Sequence, residues 1–254
     1  MPRSASRAPL VRRRSYSRPP ILERIAEVHV IPGPTSLATA KEALATRWPE
    51  FNRIERQAVG AVEFMWSPAE NTVQTKQQSG DRLRFSREDR KRLYQVGREL
   101  FVANDLLPEP GWEELRPMFE RGYEDFLAVL QPRSVVKGVL RYLNRVSLPP
   151  GLTAQDLFTI FPTLPDDRQR AQAPFQMVVD MGENGPGPSL LVLAFAGSEA
   201  QPIYALDLVV ESGRRTLESA SAVFRWAEEA HERIAELFES SVTPRARLLF
   251  EERT

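Results

Sequence analysis

The sequence predicts an α+β fold of two pseudo-repeated lobes, each running strand, helix, three or four strands and helix. Together they would form a mainly antiparallel, curved sheet with long helices packed across it. Three observations lead there. The punctuation after each opening strand recurs: Pro32-Gly33-Pro34 before Thr35 or Ser36 in the first half, Pro149-Pro150-Gly151 before Thr153 in the second. Each half closes on an amphipathic helix, one striped by Leu115, Phe119, Tyr123, Phe126 and Leu130, the other by Val223, Ala227, Ala230, Ile234 and Leu237. Between them lie short alternating or wholly apolar runs bounded by turn residues. The predicted divisions are a disordered basic tail over 1–18, a first lobe over 19–132 and a second over 133–254.

The first strand is Ile21 to Ile31, with Leu22, Ala26, Val28 and Val30 on one side and Glu23, Glu27 and His29 on the other. A helix follows, capped at Thr35 or Ser36 and carrying Leu37, Ala40, Leu44 and Trp48. Strands are predicted over Val59 to Trp66, Thr72 to Gln77, Arg82 to Arg87 and Leu93 to Asn104, with Ser79-Gly80-Asp81 as a turn. Proline is welcome only at the start of a helix, so the regular part of the first closing helix is predicted from Pro117.

The second lobe opens with a strand from Val135 to Leu148 and a short helix capped by Thr153 and running through Phe161. Strands Phe175 to Met181, Leu190 to Phe195 and Ile203 to Val210 come next, the first two joined by the Gly/Pro-rich hairpin connection Gly182 to Pro188. That connection joins strand to strand and lacks a lysine, so it is no phosphate loop. The closing helix, Leu217 to Ser240, would reach roughly 35 Å and cross about seven strands. Thr243-Pro244 reads as a fresh cap and first helical position, with Leu248 and Phe250 returning the chain to the body. Strands apolar on both sides, such as Leu190 to Phe195, imply cover on each face, from helices or from a second subunit.

Composition narrows the chemistry. An apolar content of 42% is enough for a packed core. With no cysteine there is no disulfide, thiolate metal site or cysteine nucleophile, which fits a reducing cytoplasm. Runs such as Leu190 to Ala196 are too short to cross a bilayer as helices, so no membrane association is expected. Lysine plus arginine balance aspartate plus glutamate at 34 each, yet Arg3, Arg7, Arg12, Arg13, Arg14 and Arg18 crowd the start of the chain. The remainder is correspondingly acidic.

The most informative chemistry lies in Val139 to Leu148. Alternation puts Arg141, Leu143 and Arg145 on one face and Leu140, Tyr142, Asn144, Val146 and Leu148 on the other. Asn144 therefore sits among core residues and needs partners. Arg141 and Arg145 either meet acids on neighbouring strands, such as Glu23 or Glu27, or frame an anionic ligand. Asp207, in an otherwise apolar strand, reads as an ion-pair partner of an arginine. His231 lies beside the apolar stripe of the closing helix; a bond to a carbonyl is its ordinary fate, while Asp180 or Asp207 could make it a general base. Trp112 and Trp226 read as core anchors. No residues are assigned to a metal, a cofactor or catalysis.

The order of elements resembles that of the TATA-binding-protein fold, without shared motifs. At residue level, Pro19-Pro20-Ile21, Gln95-Val96-Gly97-Arg98, Pro110-Gly111-Trp112-Glu113-Glu114, Arg141-Tyr142-Leu143-Asn144-Arg145-Val146 and His231 before Thr243-Pro244 resemble a sporadically distributed prokaryotic family of unassigned function. The resemblance covers nearly the whole chain after the tail and carries over no catalytic residues. It implies an association with mobile or defence genes.

The expected function is that of a non-catalytic binding or regulatory protein. It would hold a partner protein or an anionic ligand on its sheet or in an inter-lobe groove, through Arg141, Asn144, Arg145 and His231, as a monomer or a homo-oligomer. The alternative is nucleic-acid binding through Arg12, Arg13, Arg14, Arg82 and Arg84, with salt-sensitive affinity. A hydrolase centred on His231 ranks third.

Overall fold

A computed structural model describes residues 14–67, 72–106, 111–162, 175–195 and 201–253, with only the backbone of 58–67, 72–80 and 184. In chain order the elements are β1 (Ser15–Tyr16), β2 (Ile21–Ile31), α1 (Leu37–Arg47), β3 (Arg53–Ser67), β4 (Thr72–Ser86), β5 (Arg92–Val96), β6 (Leu100–Asp105) and α2 (Trp112–Leu130). There follow β7 (Ser134–Ser147), α3 (Ala154–Leu157), β8 (Gln176–Asn184), β9 (Gly187–Phe195), β10 (Ile203–Glu211), α4 (Ala220–Ser241), α5 (Pro244–Leu249) and β11 (Glu252–Arg253). The fold is α+β, and its main sheet has nine strands in the order β3-β4-β5-β6-β2-β7-β10-β9-β8. Every neighbouring pair in it is antiparallel.

Register explains why one face became the core. β2 and β6 pair Ala26 with Ala103 and Val28 with Phe101, and β2 and β7 pair Ala26 with Leu140. Because side chains alternate, these residues share one face, continued on β10 by Leu206, Leu208 and Val210. The helices α1, α2 and α4 all lie on it. Trp48, at the end of α1, meets Phe85 and Tyr94 at ring separations of 5.1 and 4.5 Å. Phe119 and Phe126 of α2 lie 6.2 and 5.5 Å from Phe101. On α4, Val223, Trp226, Ala227, Ala230 and Ile234 are all buried.

The opposite face is polar at its centre and apolar toward β8. Arg141 grips Asp207 through two nitrogens, Nε to Oδ1 at 2.8 Å and Nη2 to Oδ2 at 2.6 Å. Asn104 donates to Glu23 at 2.6 Å and accepts from Gln95 at 3.0 Å, while Lys137 pairs with Glu211 at 3.1 Å. Toward β8, Val178 and Leu190 remain 58% and 36% exposed, so the expected cover on both faces is not supplied by these helices.

Several local expectations are corrected. Ser79-Gly80-Asp81 is not a turn: β4 runs through it unbroken, paired with β3 from Thr72 to Ser86. The run from Leu93 to Asn104 is two strands, since Gly97 N–H bonds Leu100 C=O at 2.8 Å and reverses the chain. The helix α2 starts at Trp112, five residues before Pro117, because Trp112 and Leu115 are already anchored in the core. The short helix after Thr153 ends at Leu157, short of Phe161. Leu248 is 76% exposed, so of the two residues expected to return the chain to the body only Phe250 does so. Of the tail predicted over 1–18, residues 1–13 lie outside the described residues, while Ser15 and Tyr16 pair with Arg253 and Glu252. The capping positions hold, with Ser36, Thr153 and Thr243 at the starts of α1, α3 and α5.

The predicted boundary at 132/133 falls between α2 and β7, where β2 and β7 pair from Ile21↔Asn144 to Ile31↔Ser134. Both halves therefore share one sheet. No helix among the described residues is long and apolar enough to cross a membrane.

Candidate functional site

Parity places a cation where the core face would otherwise be apolar. On β2, Arg24 occupies the same face as Ala26, Val28 and Val30, and it is 3% exposed. Its register partner on β6 is Asp105, fully buried, with Nη1 and Oδ2 3.4 Å apart. A charge buried without any partner would cost several kcal/mol, and Asp105 also lies 3.9 Å from Arg92 Nε. The Arg24 guanidinium also lies over the ring of Tyr142 on the neighbouring β7, 5.7 Å from its centroid.

From Tyr142 the polar cluster crosses to the helices. Its hydroxyl and His231 Nδ1 are 2.8 Å apart, and the imidazole stacks on Trp112 at 4.9 Å with planes 17° apart. The Trp112 Nε1–H donates to Glu228 Oε2 at 2.9 Å, fixing the indole between the two closing helices. His231 is thus gripped by a phenol on the sheet and an indole at the start of α2. The Tyr142 hydroxyl is a partner that the expectation of a carbonyl bond did not include.

Two residues further along β7, Asn144 is 1% exposed. Its Nδ2 donates to two main-chain oxygens, Leu206 at 3.1 Å and Tyr142 at 3.3 Å. Carbonyls can only accept, which fixes the amide orientation and leaves Oδ1 as the free end.

These side chains floor a cavity of about 440 Å³ between the sheet and α4. Leu208, Ile21, Ile234 and Phe238 supply apolar walls. The segment from Arg14 to Ile21 runs along one side as a strap, held by β1–β11 pairing and by Glu239. Glu239, 6% exposed, accepts from Tyr16 Oη at 2.6 Å and Arg247 Nε at 3.0 Å. Burial, and then the Glu239 bond, pushes the Tyr16 hydroxyl well above the ordinary phenol range.

The residues proposed from sequence separate into two groups. Asn144 and His231 meet at this cavity. Arg141 and Arg145 lie on the other face of the sheet, and Arg141 meets an acid on a neighbouring strand, Asp207, the aspartate expected to have an arginine partner, with Glu23 and Glu27 also within its field. Because Asp207 and Asp180 also occupy that other face, neither forms a catalytic pair with His231. On the same polar face, burial would push the Glu27 carboxyl up, but the contact with His29 outweighs it and holds the acid below its usual range.

Of the candidate nucleic-acid residues, Arg12 and Arg13 lie outside the described residues. Arg14 bonds Glu252 at 2.6 Å, and Arg84 on β4 lies 3.7 Å from Glu55. Arg82 shares the polar sheet face, where Glu27 lies within its field. Among the described residues no group of three or more histidines and acids could hold a metal ion.

Sequence reasoning missed Arg24, Tyr142 and Glu239. A signal for Arg24 exists: it breaks the apolar parity of Leu22, Ala26, Val28 and Val30. The Tyr142–His231 contact spans 89 residues and leaves no local trace. No protein-family model and no curated protein matches the chain.

Proposed function

We propose that this is a non-catalytic binding protein that holds a small ligand in the cavity between the central strands and α4. The observation that carries the reading is the polar floor: Arg24, Tyr142, Asn144 and His231, all buried, border one space of about 440 Å³ with apolar walls. That is the size and mixture of a small-molecule site, with a few fixed polar groups in an apolar surround. The His231–Tyr142 contact supports binding over hydrolysis, since Asp180 and Asp207, the aspartates weighed as catalytic partners, lie on the opposite face of the sheet. The nucleic-acid alternative draws less support, because the described arginines Arg14, Arg84 and Arg141 each face a carboxylate.

The same reading takes the two halves as one unit used twice. The strand opening each half, β2 or β7, pairs with the last strand of its own meander, β6 or β10, and the two opening strands pair with each other. Such an order supports the resemblance to the TATA-binding-protein arrangement, with the cavity set where the halves join.

The test is native mass spectrometry on protein purified gently from its own cells, beside an Ala235→Trp variant whose indole fills the cavity. The wild type is expected to carry an added small mass that the variant, folded and melting cooperatively, lacks. The released molecule should be chemically unchanged after prolonged incubation with fresh protein. A ligand retained equally by Ala235→Trp, or consumed on incubation, would sink the proposal.

A further inference from the structure

The cavity contains one acceptor that the protein does not use. Asn144 spends its Nδ2 on the main-chain oxygens of Leu206 and Tyr142, and no described residue donates to its Oδ1. The residue is 1% exposed, yet Oδ1 is not among the enclosed side-chain atoms that lack a partner, so it opens to the cavity, where a hydrogen bond to a donor is worth about 1 kcal/mol. The side chain borders the cavity, so the missing donor has a place to come from.

Charge sets a second condition. Among the residues around the cavity, Arg14, Arg24 and Arg253 stand against Glu113, Glu232, Glu236 and Glu239. The arginines are also partly spent: Arg24 faces buried Asp105, and Arg14 faces Glu252 and Glu239. An entering anion would meet three cations already matched by at least as many carboxylates. An uncharged or cationic molecule meets no such penalty. The walls of Ile21, Leu208, Ile234 and Phe238 ask for an apolar body behind the polar group.

We infer that the cavity selects a compact apolar molecule, uncharged or cationic, whose N–H or O–H donates to Asn144 Oδ1. This rests on the cavity being the binding site and replaces the anionic ligand suggested by the arginines of β7. Arg141 and Arg145, which prompted that suggestion, lie on the far side of the sheet.

Four probes on one ring test it: 2-naphthylmethanol, 2-naphthylmethylamine, 2-methylnaphthalene and 2-naphthoate, titrated into the full chain by ligand-observed NMR. The alcohol and the amine should bind about tenfold more tightly than the methyl compound, the worth of one hydrogen bond in a buried site, and the carboxylate most weakly. In Asn144→Ala, checked for cooperative melting, the advantage of alcohol over methyl should vanish while the methyl compound still binds. The wild-type series decides by itself if that variant does not fold. Equal binding of alcohol and methyl compounds, or tightest binding of the carboxylate, overturns the ligand class and leaves the cavity standing as a site. Failure of every probe to bind, or binding unchanged by Ala235→Trp, overturns both.

Discussion

Replacing Gly138 with alanine tests whether α4 is laid directly on the sheet beside the cavity. A Cβ at this position of β7 would fall 2.5, 2.7 and 2.9 Å from three carbons of the Trp226 ring, inside any ordinary contact. Neither partner can retreat cheaply. The Gly138 N–H is bonded to Ser212 Oγ at 3.1 Å and its C=O to Ser212 N–H at 2.9 Å, so the strand is pinned. Trp226 is 2% exposed, so its ring cannot swing aside without displacing other core groups. Overpacking of this kind costs about 1–3 kcal/mol. Alanine also stiffens the unfolded chain, which returns about 0.4–1 kcal/mol where the backbone tolerates it. The net expectation is a loss of about 1–2 kcal/mol, read as a lower urea midpoint with unchanged slope. Gly97→Ala is the control: its nearest neighbour would be Leu100 Cβ at 3.6 Å, and stability should stay within about 0.5 kcal/mol. Adding Trp226→Leu to Gly138→Ala should recover part of the loss relative to the sum of the single changes. A Gly138→Ala protein as stable as the wild type would refute the packing of α4 on β7.

Two further outcomes follow from the buried polar groups. Glu239→Ala removes the acceptor shared by Tyr16 and Arg247 and should cost about 2–3 kcal/mol; trypsin should then cleave after Arg14, and chymotrypsin after Tyr16, before the core is digested. Equal protection of those sites would show that the strap does not depend on Glu239. Burial pushes Tyr123 up to about 12 and raises Tyr94 as well. A phenol whose folded value exceeds the unfolded one, about 10, adds stability that is complete below that pH and lost as pH rises through the folded value. Ultraviolet titration should therefore show the phenolates of Tyr123 and Tyr94 appearing with unfolding. Ionisation of both near pH 10 in a protein still folded by circular dichroism would contradict their burial.

Much of this architecture was legible because alternation is a local signal. The split of β7 into Arg141 and Arg145 on one side and Tyr142 and Asn144 on the other follows from period two alone, and the caps at Ser36, Thr153 and Thr243 follow from hydroxyls placed before apolar runs. What failed were inferences in which a turn or breaker residue was weighed against tertiary context. Ser79-Gly80-Asp81 has turn composition, but pairing along the whole of β3 carries the strand through it. Gly97 reverses the chain with little accompanying turn chemistry, and α2 tolerates Pro117 because Trp112 already fills the core ahead of it. The site was half legible. Asn144 and His231 were named for being polar beside apolar stripes; the opposite facing of Arg141 and Arg145 was readable from period two, but that Arg141 is the arginine that takes Asp207, 66 residues away, leaves no local trace.

The clasp formed by Ser15–Tyr16 and Glu252–Arg253 brings distant parts of the chain to a single corner. Arg14, Tyr16 and Arg253 at that corner also border the cavity. A fluorophore or affinity handle attached at Ser15 or at Glu252 would therefore sit at the same doorway. It would report on occupancy from there, and a bulky one would obstruct it.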